Sequence, residues 1–444
     1  MCTDRAGKSM KIIQTLLLTL FVSLLAGTAH AIPKIQHWVT DKGARVYFVP
    51  ATELPMVDIN ITFAAGSARD GGQPGVAHMT NMLLDKGAAG MSTGEIARRA
   101  ESLGAELGSG SARDMAWATL RSLSDAAHLE PALAILADVV GRPDFNKSDY
   151  KRESERTQVS IRRSEQSPST VAGNEIFLST YGEHPYASRP TGTVEDIRAL
   201  KRDDVKAFYK RYYVARNAVI GIVGDVDRAT AERLAEQVTD GLAAGERAAK
   251  LPAVQLPESA GMKRIKHPST QSHVRMAAPG VHRGDPDYFP LYVGNHVLGG
   301  SGLVSRLSEE VREKRGLSYS VSSYLSPMEQ DGPYLFSLQT RNDQVDEALK
   351  VMRDTLQAFL DDGPTEKELV ASTNNITGGF ALRIDSNAKI LSYLVMIGFY
   401  DMPLDYMETF SDKIKAVTRE QIVDAFKRRV MPDRMQTVIV GGES

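Results

Sequence analysis

The chain has 444 residues, 42% hydrophobic and 24% charged, with 53 basic side chains against 55 acidic ones. That composition is ordinary for a folded protein with large cores, and the length implies two to four domains at about 100–200 residues each. The near-balanced charge argues against nucleic acid or anionic lipid as a partner, and the only cysteine, Cys2, lies in a segment expected to be removed.

That segment is the N-terminus. Lys8 and Lys11 precede an apolar run, Ile12 to Leu25, and Ala29-His30-Ala31 supplies an A-x-A cleavage site. The run is too short to span a bilayer comfortably. Thr28 stands where a lipoprotein signal would need a cysteine, and Met10 is an alternative start. The expectation is a signal peptide over residues 1–31 and a mature chain that is soluble and periplasmic or secreted, with no membrane attachment. Losing Asp4, Arg5, Lys8 and Lys11 leaves 50 basic and 54 acidic residues. Without Cys2 the mature chain has no cysteine nucleophile, redox pair or thiolate zinc site.

Arg45–Val49 and Val57–Ala64 read as a pair of strands around a proline-containing turn. Helical periodicity follows at Val76–Lys86, Thr93–Leu103, Ala126–Gly141, Ser148–Glu165 and Arg202–Tyr213. A stretch from Gly241 to Gly261, rich in Ala, Pro, Glu and Gly, reads as a linker. The two sides of it repeat. Ile197-Arg-Ala-Leu-Lys-Arg leads to a strand ending at Gly224, and Ile414-Lys-Ala-Val-Thr-Arg leads at the same spacing to one ending at Gly441. The displacement that carries Ile197 onto Ile414 also carries Gly224 onto Gly441 and sets Val57 opposite Val274. Two copies imply a duplicated domain rather than a solenoid. The expected class is α+β: two duplicated domains, each a mostly antiparallel sheet with helices packed on one face. The expected boundaries are 32–245, a linker over 246–262, and 263–444.

The informative segment is Gly75-Val-Ala-His78-Met-Thr-Asn81-Met82, which follows Gly66-Ser-Ala-Arg69-Asp. It resembles the insulinase/pitrilysin family, which includes the mitochondrial processing peptidases, where such a turn precedes a helix carrying H-x-x-E-H. In that motif two histidines at i and i+4 share a helix face and reach one zinc ion, and the glutamate activates the metal-bound water. Here His78 takes the first histidine position, Asn81 replaces the glutamate and Met82 the second histidine. A neutral amide is no general base, and a thioether is too soft for zinc. The family's third ligand, a glutamate about 75–80 residues on, falls in a window reading Gln158-Val-Ser160-Ile-Arg-Arg, bracketed by Glu153, Glu155 and Glu165 out of register. No other histidine pair rebuilds a site. The expectation is a chain that holds no metal of its own and does not hydrolyse peptides alone, with His78 a half-buried remnant.

In the second half, Gly299-Gly-Ser-Gly302 lacks the G-K-[ST] ending of a phosphate loop. Leu303, Leu307 and Val311 recur every four residues, predicting an amphipathic helix over Leu303–Lys314 that Gly316 stops. Leu317, Tyr319 and Val321 then alternate with serines, as in a half-buried strand. In the family that this chain resembles, an Arg and a Tyr seven residues apart in this segment face the zinc site across a cleft, bind substrate and polarise its scissile carbonyl. Arg312 and Tyr319 match that pair, and guanidinium and phenol are suitable donors to a developing oxyanion. The likeness extends to His184-Pro-Tyr186, whereas Gly108-Ser-Gly-Ser111 departs from the Asn-Ala-x-Thr of active members. The resemblance therefore implies a non-catalytic, substrate-binding subunit whose homologous partner carries the zinc, with peptide as substrate. The alternative is a structural or peptide-binding scaffold of the same fold.

Overall fold

A computed structural model describes residues 34–442; the expected signal peptide and Cys2 lie outside the described residues. The first half runs β1 (Gln36–Val39), β2 (Arg45–Pro50), β3 (Met56–Phe63), α1 (Val76–Met82), the short β4 (Gly87–Ala88) and β5 (Met91–Ser92), α2 (Thr93–Ser102), β6 (Glu106–Ser111) and β7 (Ala116–Leu123). It continues through α3 (Ala126–Gly141), α4 (Lys147–Ser164), α5 (Pro168–Tyr181), α6 (Val194–Ala199), α7 (Arg202–Tyr212), β8 (Ala218–Gly224) and α8 (Arg228–Thr239). Residues 243–260 carry no helix or strand.

The second half has β9 (Gly261–Ile265), β10 (Gln271–Pro279), α9 (Tyr288–Asn295), β11 (Ser320–Leu325) and β12 (Pro333–Arg341). Then come α10 (Val345–Asp362), α11 (Glu366–Gly378), α12 (Asn387–Phe399), α13 (Tyr406–Lys415), α14 (Arg419–Arg429) and β13 (Gln436–Val440). No helix of the described residues is long and apolar enough to cross a membrane.

The strand orders are β1-β2-β8-β3-β7-β6 and β9-β13-β10-β12-β11. Without β1, one order is the other: β2, β8, β3, β7 and β6 stand for β9, β13, β10, β12 and β11. The displacement that carries Gly224 onto Gly441 also carries Ala116, the first residue of β7, onto Pro333, the first residue of β12. The α+β class and the duplication are thus those of the molecule.

One expectation needs correction. β2 and β3 are not neighbours, because β8 inserts between them, parallel to β2 and antiparallel to β3. The reason is apolarity. Every residue of Ala218–Gly224 is buried, and a strand with no solvated face belongs inside a sheet.

Each half's own helices cover one sheet face, α3 lying on β7 and on α8. The structure adds an exchange on the opposite faces. α12, from the second half, packs on β8 and β3, while α5, from the first, packs on β10 and β13. Under the same displacement α5 begins at Asp385 and ends at Gly398, so α12 is its counterpart. Ser167 caps α5 through Thr170 N–H, with Pro168 in the first turn. Glycines set the approach of α12: a Cβ on Gly221 of β8 would stand 2.7 Å from Leu391, and one on Gly398 would stand 2.4 Å from the Tyr47 ring. Ala172 and Ile176 of α5 form one buried cluster with Ala277, Leu335, Val438 and Val440.

Polar ties also cross between the halves. Asp114, buried after β6, accepts hydrogen bonds from Tyr186 Oη (2.8 Å), Glu329 N–H (2.8 Å) and Tyr400 Oη (2.9 Å). Tyr181 Oη reciprocally donates to the Asp331 carbonyl at 3.1 Å. Burial raises the pKa of Asp114 above the usual carboxylate range.

Candidate functional site

The turn before α1 is built to start a helix. Asp70 accepts from Gly75 N–H (2.8 Å) and Ala77 N–H (3.1 Å), and Gly75 adopts φ +87°. Burial nevertheless pushes the Asp70 carboxyl up to about 7. The helix ends at Met82, short of the predicted Lys86, because the chain turns at Leu83 and Leu84 to bury both.

Two of the three motif positions are filled by groups engaged elsewhere. His78 is half-buried, and desolvation lowers its pKa. Asn81, 2% exposed, points into the core, where its Nδ2 donates to the Trp117 carbonyl (3.0 Å) and to Tyr213 Oη (3.4 Å). Met82 Sδ accepts from the Thr157 hydroxyl at 3.9 Å.

Thr157, buried on α4, is the residue that sequence reasoning missed. It stands just before the window Gln158–Arg163 in which an acid was sought. Its register on the buried face of α4, with Glu153 and Ile161, is the signal that would have found it. Glu153, one turn earlier, is buried but held by Arg152 (3.0 Å) and Arg156 (3.4 Å). Glu165 pairs with Arg189. These residues do not fit zinc: a single imidazole, an inward amide and a thioether under a hydroxyl leave one competent ligand. Among the described residues the only group of three close His and carboxylate ligand atoms is His282, Asp285 and Asp331, away from α1 in sequence and without His78.

The neighbouring strand has also changed. β6 is a sheet edge, bonded only to β7, and it lies beside α1. A Cβ on Gly110 would stand 2.4 Å from the Trp117 ring, and one on Gly108 would stand 2.7 Å from Thr119 Oγ1. The glycines make room for large cross-strand neighbours, which accounts for the departure from Asn-Ala-x-Thr.

In the second half the structure does bring Arg312 and Tyr319 together. The Arg312 guanidinium lies over the Tyr319 ring, 4.9 Å from its centroid. The local fold that achieves this differs from expectation. Leu303 is not on the predicted helix; Gly302 at φ +66° turns the chain, leaving Leu303 and Val304 exposed. The helix begins at Arg306 and widens into a π-helix over Ser308–Glu313, burying Leu307 and Val311. Gly316 at φ +62° ends it, with Leu317 N–H on the Val311 carbonyl.

The expected strand alternation through Tyr319 also fails. Ser318 is buried, its hydroxyl oxygen 2.7 Å from both the Gln339 and the Ser320 carbonyl oxygens and so donating to one of them. That crook turns Tyr319 outward, 84% exposed, just before β11. Lys314 and Arg315 are bound to Glu310 at 2.7 Å each, whereas Arg312 has only a longer contact to Glu313, 3.4 Å. Of the three basic residues closing this helix, Arg312 alone is set against an aromatic face. β11 is the edge of its sheet, bonded to β12 alone, and Gly299 packs tightly on Ser323 behind it.

Comparison with known proteins gives the family. Residues 46–193 match the model described as insulinase (peptidase family M16), and residues 199–376 match the model described as peptidase M16 inactive domain. A crystal structure described as peptidase M16 inactive domain from Pseudomonas fluorescens is 40% identical, with a TM-score of 0.89 over 92% of this chain and 98% of that one. The crystal structure of a protease from Helicobacter pylori has the same fold: 19% identity, a TM-score of 0.85, covering 92% of this chain and all of that one. An uncharacterised zinc protease of Bacillus subtilis is 26% identical over 359 residues, 80% of this chain and 86% of its own length. The chain belongs to the insulinase family of metallopeptidases, as a member whose motif helix lacks the glutamate and the second histidine.

Proposed function

We propose that the mature protein is the non-catalytic, substrate-binding subunit of a heterodimeric zinc peptidase in the bacterial periplasm. A homologous partner carries the zinc and the general base. This chain supplies Arg312 and Tyr319 from the opposite wall of a shared cavity, where they hold the peptide and donate to its scissile carbonyl. The observation that carries the reading is the pairing itself. A guanidinium and an exposed phenol are set together beside a free strand edge, while α1 has closed over non-ligands. A free edge such as β11 accepts an extended peptide by strand addition.

The test is reconstitution. Purified alone, the chain carries no stoichiometric zinc and cleaves no peptide library. Mixed with an H-x-x-E-H homologue from the same genome, it raises that partner's turnover. A complex that forms without any gain in turnover would establish the scaffold reading instead.

A further inference from the structure

A cavity of about 500 Å³ lies where the first half, the linker and the second half meet. Five cations line it: Arg45 and Arg69 from the first half, Arg247 and Lys250 from the linker, and Arg283 from the second half. Only two carboxylates face them. Glu329 is bound to Arg69 at 2.8 Å, and Asp401 is shared by Arg45 and Arg247. Lys250 and Arg283 have no carboxylate within salt-bridge distance among the described residues.

The arginines are also short of acceptors. Nε and Nη1 of Arg69, Nε of Arg45 and Nε of Arg283 are buried with no hydrogen-bond acceptor among the described residues. The Arg69 side chain is only 5% exposed. A buried donor left unpaired costs about 1–3 kcal/mol, more when charged, so four such donors around one cavity are not a neutral accident of packing. Burial and the neighbouring Arg247 push the pKa of Arg45 down, as crowded positive charge does. Arg69 and Arg283 each follow a central strand of their own half, in Ala-Ala-Gly66-Ser-Ala-Arg69 after β3 and Ala-Pro-Gly280-Val-His-Arg283 after β10.

From this geometry we infer that the cavity binds a small oxyanion, a phosphate or a carboxylate, held by Arg69 and Arg283 with Arg45 behind and Lys250 at the mouth. Guanidinium forks suit such oxygens, and small side-chain rotations bring the buried donors onto them. The bound anion bridges three segments of chain, so it stiffens the apposition of the two halves. This site shares no residue with the Arg312–Tyr319 pair, and its test is independent of any partner or peptidase activity.

Calorimetric titration of the purified full-length mature chain at constant ionic strength tests it, using inorganic phosphate, acetate, trialanine and trialanine amide as probes. Saturable phosphate binding with a raised melting temperature is expected, weakened about tenfold in Arg283→Gln by loss of one charge-assisted contact. Lys250→Gln, at the exposed mouth, weakens it less and keeps the fold intact by circular dichroism. Binding of trialanine but not its amide, with the same loss in Arg283→Gln, makes a peptide terminus the source of the oxyanion. No binding by any probe, or binding unaltered in both variants, overturns the site.

Discussion

The motif helix α1 and the crook from Arg312 to Tyr319 have gone opposite ways. In α1 two of the three positions that would serve a metal have been drawn into packing: Asn81 holds a strand carbonyl, and Met82 lies under the Thr157 hydroxyl. In the crook Tyr319 is held outward, almost free of its own protein, with the partly buried Arg312 guanidinium against its ring. A group kept for stability becomes satisfied within the chain, whereas the proposed ligand-binding pair is positioned with few partners of its own. The same polymer shows both arrangements, a motif helix turned into packing and a basic–aromatic pair left at the surface.

The largest effect expected from this contrast is on function. Tyr319→Phe and Arg312→Ala should each lower the turnover of the reconstituted complex about a hundredfold, the usual cost of one oxyanion donor. The isolated chain's urea midpoint should stay the same, since an exposed tyrosine packs on little. Unchanged turnover would put both residues outside the site.

The converse holds for α1. Asn81→Glu, the apparent restoration of the general base, should destabilise the fold by about 1–3 kcal/mol, because the Trp117 carbonyl loses its buried donor and faces a carboxylate. Chemical denaturation measures this, and a variant as stable as the parent would mean that the helix is still open to a ligand. Thr157→Val should cost about 0.5 kcal/mol, the low end for one hydrogen bond, through its weak contact with Met82 sulfur.

The smallest effects are in pH dependence. Burial lowers the His78 pKa, so the unfolded chain takes up a proton first. Its contribution is present above about pH 6.5 and is lost as pH falls toward the lowered value. Asp70, raised to about 7, acts in reverse. Its contribution is full below the unfolded carboxylate pKa and is lost as pH rises through 7. Both act below about pH 7 with opposite slopes, so His78→Leu should remove a rise in stability with pH and Asp70→Asn a fall, read from urea midpoints between about pH 4.5 and 8. Parallel profiles for variant and parent would show that neither group differs between the folded and unfolded states.

Much of this is legible in the sequence because it is periodic or duplicated. α3 carries one apolar stripe, and its ends are those its periodicity predicts. The repeat that sets Val57 opposite Val274 foretells two sheets of one topology. What stays hidden depends on contacts distant in sequence. α5 escapes a periodicity reading because Ala172 and Ile176 pack on the other half's sheet and give no stripe among its own neighbours; Ser167-Pro168 is the cue that remains. β8 lies between β2 and β3 although four strands and seven helices separate it from β3 along the chain, and only its unbroken burial points inward. In the crook, local periodicity misleads: Leu303 keeps the four-residue spacing but lies outside the helix, and Tyr319 keeps the two-residue spacing but faces outward. Both errors come from residues next to glycines or serines whose backbone angles and hydrogen bonds override side-chain pattern.

The exchange of α5 and α12 means that cutting the linker would not release two independent proteins. Each fragment would carry a sheet with one bare greasy face and a helix with nowhere to dock, so fragments made singly should aggregate, and fragments made together should find each other. The arrangement is that of a domain-swapped dimer whose subunits have become one polypeptide. Residues 243–260 then serve as a tether, turning what would be a concentration-dependent association into an intramolecular one.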